Sequence, residues 1–234
     1  MFFKVRPLCI LLAFFVESVF SDIEDYLPLT TGHTSTNYGE TGLYEMPSAR
    51  FQEAGNLKFG FVSFRPYEVT SISASPFSWM EATFRYTEIK NQLYSPYAFY
   101  SGNQTLKDKG FDFKIKLLDE SRFLPAIAIG LRDLAGTGLF ASEYIVGSKR
   151  FGNLDTTIGI GWGQIGRESN ISNPLSRISD KFSSRQDGFG EGGSFQYNSW
   201  FSGDRAALFA GLEYRIPGSQ YTFLLEYDTS NAAD

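Results

Sequence analysis

Along most of the chain, apolar and polar residues alternate one by one. In 80–88, Met80, Ala82, Phe84 and Tyr86 fall on one side, and Glu81, Thr83, Arg85 and Thr87 on the other. In 111–117, Phe111, Phe113, Ile115 and Leu117 oppose Asp112, Lys114 and Lys116. In 154–162, Leu154, Thr156, Ile158, Ile160 and Trp162 oppose Asp155, Thr157, Gly159 and Gly161. In 221–227, Tyr221, Phe223, Leu225 and Tyr227 oppose Thr222, Leu224 and Glu226. A period of two is the mark of a strand whose faces meet different surroundings. Weaker strand signals cover 57–64, 126–132, 140–149 and 206–215, and no helical period persists anywhere.

Alternation of this kind fits a soluble sandwich with one wet face or a membrane barrel. Two features favour the barrel. The strands approach the ~9–11 residues that a tilted strand needs to cross a bilayer. Aromatic residues also stand at strand ends, at Phe111, Trp162, Tyr214, Tyr221 and Tyr227, where rings of an interfacial girdle belong. Composition agrees with many strands and tight turns, with 23 Phe, 13 Tyr and 23 Gly among 234 residues. The expected fold class is all-β, an antiparallel outer-membrane β-barrel, complete or partial. Two segments break the rhythm, 91–109, rich in Tyr, Ser and Gly, and the longer polar 166–193. Strand-poor loops of that length are usually functional or mobile.

The N-terminus reads as a secretory signal. Lys4 and Arg6 precede the apolar run 8–16, and cleavage is expected after Ser21. The run is too short for a spanning helix. Cys9 is the single cysteine and lies inside the run, so neither a lipid anchor nor a disulfide framework is expected. The reading divides the chain into a signal peptide at 1–21, a polar leader at 22–54 and a barrel domain at 55–234, in the cell outer membrane. The formal charge of −5 with no basic patch gives nucleic acid no footing as a partner.

Little catalytic chemistry is legible. The run 161–166 (GWGQIG) matches a dinucleotide fingerprint, but the motif requires a helix after its third glycine, and Asn170, Ser172, Asn173 and Pro174 do not start one. The expectation is that these glycines continue the small face of a strand. His33 is the single histidine and lies in the polar leader, so neither a Ser-His-Asp triad nor a histidine metal site is expected. Asp108, Asp112, Asp119 and Glu120 cluster as a glycosidase pair would, yet Asp119 and Glu120 sit between strands and read as turn acids. No enzyme activity, cofactor or metal is expected. The informative set is Arg85, Asp112, Lys114, Lys116, Arg132, Asp155 and Glu226, all on the polar faces. In a barrel they line the lumen. They then either wet a passage for a polar solute such as a glycan or fill the interior with salt bridges.

The central stretch resembles a known family. Lys107-Asp108-Lys109-Gly110-Phe111-Asp112, Leu124-Pro125-Ala126, Gly130-Leu131-Arg132-Asp133, Gly136-Thr137-Gly138-Leu139-Phe140, Ser142-Glu143-Tyr144 and Lys149-Arg150-Phe151-Gly152 are similar to the YjbH-like exopolysaccharide-associated outer-membrane proteins. Thr41-Gly42-Leu43 and Met46-Pro47-Ser48-Ala49-Arg50 resemble the family's N-terminal signature, and Asn173-Pro174-Leu175 and Leu225-Glu226-Tyr227-Asp228 extend the likeness. The resemblance covers only the N-terminal part of the longer family members, many of which are lipoproteins. It implies an outer-membrane β-barrel that assists biosynthesis or export of extracellular polysaccharide. The implied partners are outer-membrane lipid, the polysaccharide and other export proteins, and no catalytic residues come with it. The alternative is a structural or glycan-binding surface β-protein without a transport role.

Overall fold

The computed structural model describes residues 33–185, 197–219 and 221–230. The expected signal peptide lies outside the described residues. The chain forms an all-antiparallel sheet of β1 (Asn56–Phe64), β2 (Tyr67–Phe77), β3 (Met80–Leu93), β4 (Thr105–Leu118), β5 (Ala126–Arg132), β6 (Ser142–Phe151), β7 (Leu154–Gly163), β8 (Ile171–Ser172), β9 (Arg205–Arg215) and β10 (Thr222–Tyr227). The order is that of the sequence, except that the short β8 lies off the path, paired with β9. One helical turn, Ala98–Ser101, tops the β3–β4 hairpin.

The expected barrel is not closed. β1 pairs with β2 and β10 with β9, and no pairing joins β1 to β10 among the described residues. The sheet is an open, curved meander with two edges.

Its two faces follow the alternation of the sequence. The convex face exposes Phe59 (74%), Phe61 (69%), Ile158 (66%), Leu117 (58%), Phe111, Ile115, Leu208, Leu212 and Phe223. An apolar face this extensive is unusual in water and marks a surface that meets something apolar. The concave face carries Glu81, Arg85, Asp112, Lys114, Arg132 and Asp155, all buried.

What buries them is the N-terminal segment. Residues 33–52 cross the concave face as a compact chain of turns, with bridges pairing Ser35 with Thr41 and Gly42 with Pro47. The hydrophobic core lies between this segment and the sheet. Leu43, Met46, Ala49 and Phe51 pack on Ala126, Ala128, Tyr144, Val146 and Phe209, and Tyr38 packs with Tyr67, Val69, Ile89 and Phe140. Large inward side chains stand opposite glycines on the next strand. Arg85 faces Gly110, Tyr144 faces Gly130 and Phe209 faces Gly159. At each of these glycines an added Cβ would overlap the facing side chain. Glycine is therefore required there for close packing rather than for a turn.

One expected girdle residue is placed differently. Trp162 is buried, not exposed, because the segment before β9 folds back over it and sets Phe201 edge-on at 5.2 Å. Phe111, Tyr214, Tyr221 and Tyr227 stay exposed.

Candidate functional site

The site is the seam between the N-terminal segment and the charged concave face. On each strand the inward charges occupy positions of one parity and so project from the same face. On β3, Glu81 accepts hydrogen bonds from the Thr41 N–H and hydroxyl, both at 2.5 Å. Its neighbour on β4, Lys114, donates from Nζ to the carbonyls of Thr41 (2.7 Å) and Arg50 (2.9 Å) and stands 3.7 Å from Glu81. The Lys114 ammonium also sits over the Phe51 ring at 4.7 Å.

On β5, Arg132 donates from Nε to Glu40 Oε1 at 2.6 Å and from Nη2 to the Glu45 carbonyl at 2.8 Å. The Tyr144 hydroxyl donates to the other Glu40 oxygen at 2.6 Å. Burial alone would raise the Glu40 pKa, but Arg132 and Lys114 outweigh it and hold the carboxyl below its ordinary value. On β7, Asp155 accepts a two-pronged contact from Arg50, at 2.8 Å to Nε and 2.7 Å to Nη2. Such forked pairs fix orientation as well as charge. On β10, the Glu226 carboxylate accepts from the backbone N–H groups of Tyr44, Glu45 and Met46 at 2.9–3.1 Å. It thereby satisfies a turn of chain whose donors would otherwise be buried unpaired.

Three predicted residues, Arg85, Asp112 and Lys116, make no hydrogen bond to the described part of the segment. Arg85 and Asp112 pair with each other at 3.1 Å, and Asp112 accepts from the Asp133 N–H at 2.7 Å. Among the described residues the Arg85 Nη groups have no hydrogen-bond partner, and the guanidinium rests against the Phe140 and Tyr38 rings at 4.8 and 5.3 Å. Lys116 is half-buried and pairs with the exposed Asp119 at 3.0 Å, beside Phe51. The seven predicted residues thus share one face, but the polar atoms of most are engaged by the chain itself.

Glu120 is the turn acid that its position between strands implies. It sits in the β4–β5 connection, where its carboxylate accepts from the Arg150 N–H (2.9 Å), Arg50 (2.6 Å) and Lys149 (3.0 Å). Burial works against the charge, yet those three donors hold the pKa down at about 2. Asp108 and Asp112 lie on β4 and are buried, whereas Asp119 is exposed, so these acids do not gather at one surface. Burial and the nearby Arg50 push His33 down to about 4. The glycines of 161–166 end β7 and enter a turn rather than a helix. Among the described residues, no three His, Cys, Asp or Glu side chains gather as metal ligands, and no helix is long and apolar enough to cross a membrane.

Sequence reasoning missed Glu40, Glu45 and Arg50, because nothing in a polar leader marks it as the filling of a sheet. Glu81 was legible, since it shares a face with Arg85 at even spacing.

Fold and site together define a class of all-β protein, a curved antiparallel sheet with an apolar convex face and a concave face sealed by its own N-terminal segment. Residues 34–233 match the family described as exopolysaccharide biosynthesis protein YbjH, and the chain belongs to that family. A relative from Escherichia coli (strain K12), described as an uncharacterized lipoprotein YjbH, is 40% identical over 204 residues. Those residues are 87% of this chain but 29% of the relative, so the chain spans less than a third of that protein's length. No solved structure matches the chain.

Proposed function

We propose that this chain is an outer-membrane β-structure that assists biosynthesis or export of extracellular polysaccharide, without catalysing a reaction. The observation that carries the reading is the division of the sheet. The convex face offers Phe59, Phe61, Phe111, Ile115, Leu117 and Ile158 to its surroundings, while Glu81, Lys114, Arg132 and Asp155 point inward. A lysine on a lipid face near the midplane would cost ~2–4 kcal/mol, so the sorting suits a sheet with lipid outside. From Phe111 to Leu117 the apolar face of β4 runs roughly 20 Å along the strand at ~3.3 Å per residue. That the E. coli relative is described as a lipoprotein supports an envelope location.

With one exception the connections sort by length. At one end of the sheet they are 78–79, 119–125, 152–153 and 216–221, and at the other the two-residue turn 65–66 and the longer 94–104, 133–141 and 164–204. Outer-membrane barrels keep short turns on the periplasmic side, and by that rule the end with the longer set is the one proposed to face outside the cell. In this reading the inner segment is a plug, and polysaccharide passes by a route the plug controls or is handled at the surface. Lumen residues Arg85, Asp112, Lys114, Lys116, Arg132, Asp155 and Glu226 meet glycan only where the plug gives way.

Deletion of the gene, with polysaccharide measured separately in medium and periplasm, tests the reading. Loss from the medium with retention in the periplasm supports it, and unchanged amounts in both overturn it.

A further inference from the structure

The β3–β4 hairpin outruns the sheet. β2 begins at Tyr67, opposite Ile89, yet β3 continues to Leu93 and β4 starts at Thr105. The tip, 91–104, therefore stands clear of its neighbours. It reads NQLYSPYAFYSGNQ, without a single charged residue. Tyr94, Tyr97, Phe99 and Tyr100 are 53%, 63%, 89% and 73% exposed.

The tip is built, not loose. The Tyr94 N–H donates to the Gln104 carbonyl at 2.8 Å, and the Tyr100 and Gly102 N–H groups close the turn of Ala98–Ser101 at 2.9 and 2.8 Å. The Tyr97 N–H donates to Ser95 Oγ at 3.1 Å, and Gly102 takes φ 57°, a value that glycine adopts without strain. The Tyr97 and Phe99 rings lie 5.7 Å apart. Rings held open to solvent on a defined backbone are pre-organised for a partner.

A rung of charge separates these rings from the apolar band. Just below the tip, Lys90 pairs with Glu68 at 3.0 Å and with Glu88 at 2.9 Å, and Lys107 stands 3.9 Å from Glu88. Aromatic rings anchoring a sheet in lipid would continue the apolar band instead of rising beyond a ladder of ion pairs. What suits the tip is a ligand with apolar C–H faces and hydroxyls at its edges. The ring faces take the former by stacking, and the amides of Asn91, Gln92, Asn103 and Gln104 with the tyrosine hydroxyls can bond the latter. That chemistry is a sugar chain.

We infer that the hairpin tip 91–104 is a carbohydrate-contacting platform for extracellular polysaccharide, with Tyr97, Phe99 and Tyr100 as the stacking surface. The inference rests on the polysaccharide reading above and assigns it a contact surface. The probe is polysaccharide purified from the host's culture medium, cast into a native gel through which the detergent-solubilised full chain migrates. Tyr97→Ala with Tyr100→Ala is expected to weaken retardation about tenfold, while Tyr97→Trp with Tyr100→Trp, which keeps the ring faces, retains it. Heat-modifiable mobility unchanged from the parent shows that both variants assemble.

Retardation that survives the alanine pair overturns the inference. So does a selective loss of flotation with vesicles of phosphatidylethanolamine and lipopolysaccharide, which would make the tip a lipid anchor. Where gene deletion lowers exported polysaccharide but the alanine pair binds normally, the platform fails and the export reading stands. Where deletion changes nothing while the alanine pair loses retardation, the platform stands and the export reading fails.

Discussion

Arg132 and Glu40 are 92 positions apart in the chain and meet at 2.6 Å inside the concave face, with the Tyr144 hydroxyl closing the other side of the carboxylate. All three side chains are buried. Removing one member of such a pair leaves an uncompensated charge, at a typical cost of ~3–5 kcal/mol. Arg132→Ala is therefore expected to destabilise the assembled protein by about that much. Adding Glu40→Gln to it should cost less than the sum of the two single changes. Urea titrations of the three variants followed by heat-modifiable mobility give the comparison, and additive costs would mean the two residues are not coupled.

Gly130 makes the Tyr144 contact possible. The two residues are directly opposed in the β5–β6 register, and a methyl group at 130 would overlap the Tyr144 ring. Gly130→Ala should cost ~1–3 kcal/mol by overpacking. The same substitution at Gly152, where an added Cβ meets nothing, lacks that clash and tests only its positive φ of 60°. Equal losses at 130 and 152 would assign the effect to backbone freedom and not to the ring.

The N-terminal segment carries its own pH dependence at Glu45. Burial pushes this carboxyl up to about 8, and the Asn37 amide bond at Oε1 offsets it only in part. The folded chain then holds the proton more tightly than the unfolded chain, whose value is near 4.5. From this group, stability is full below 4.5 and declines as pH rises towards 8. Glu45→Gln should flatten that decline while keeping an oxygen for Asn37. Unfolding midpoints collected across the interval report it, and an unchanged slope would show that Glu45 does not carry the effect.

The strands were legible because their two faces differ so sharply. Met80, Ala82, Phe84 and Tyr86 lie on the face opposite Glu81, Thr83, Arg85 and Thr87, as the alternation requires. β2 was not legible, since its inward residues Ser71, Ser73 and Ser75 are small and polar and the contrast with Thr70 and Ala74 collapses. The segment 91–109 read as loop, although β3 and β4 extend into both of its ends. Least legible was the plug. Its residues have no period, and their partners lie far along the chain, as with Tyr44 and Glu226, 182 positions apart. Local pattern carries no trace of contacts at that range. The open edges of β1 and β10 were equally out of reach, because alternation states which face is apolar and not whether a sheet closes.

The central claim is that the convex face meets lipid. Spin labels at single cysteines replacing Phe61, Ile115 and Ile158, each exposed on that face, test it in the native membrane through collisions with oxygen and with a water-soluble nickel complex. The account predicts frequent oxygen collisions and few nickel collisions at all three positions. Nickel collisions equal to those of a label on the hairpin tip at Phe99 would contradict it and return the sheet to water.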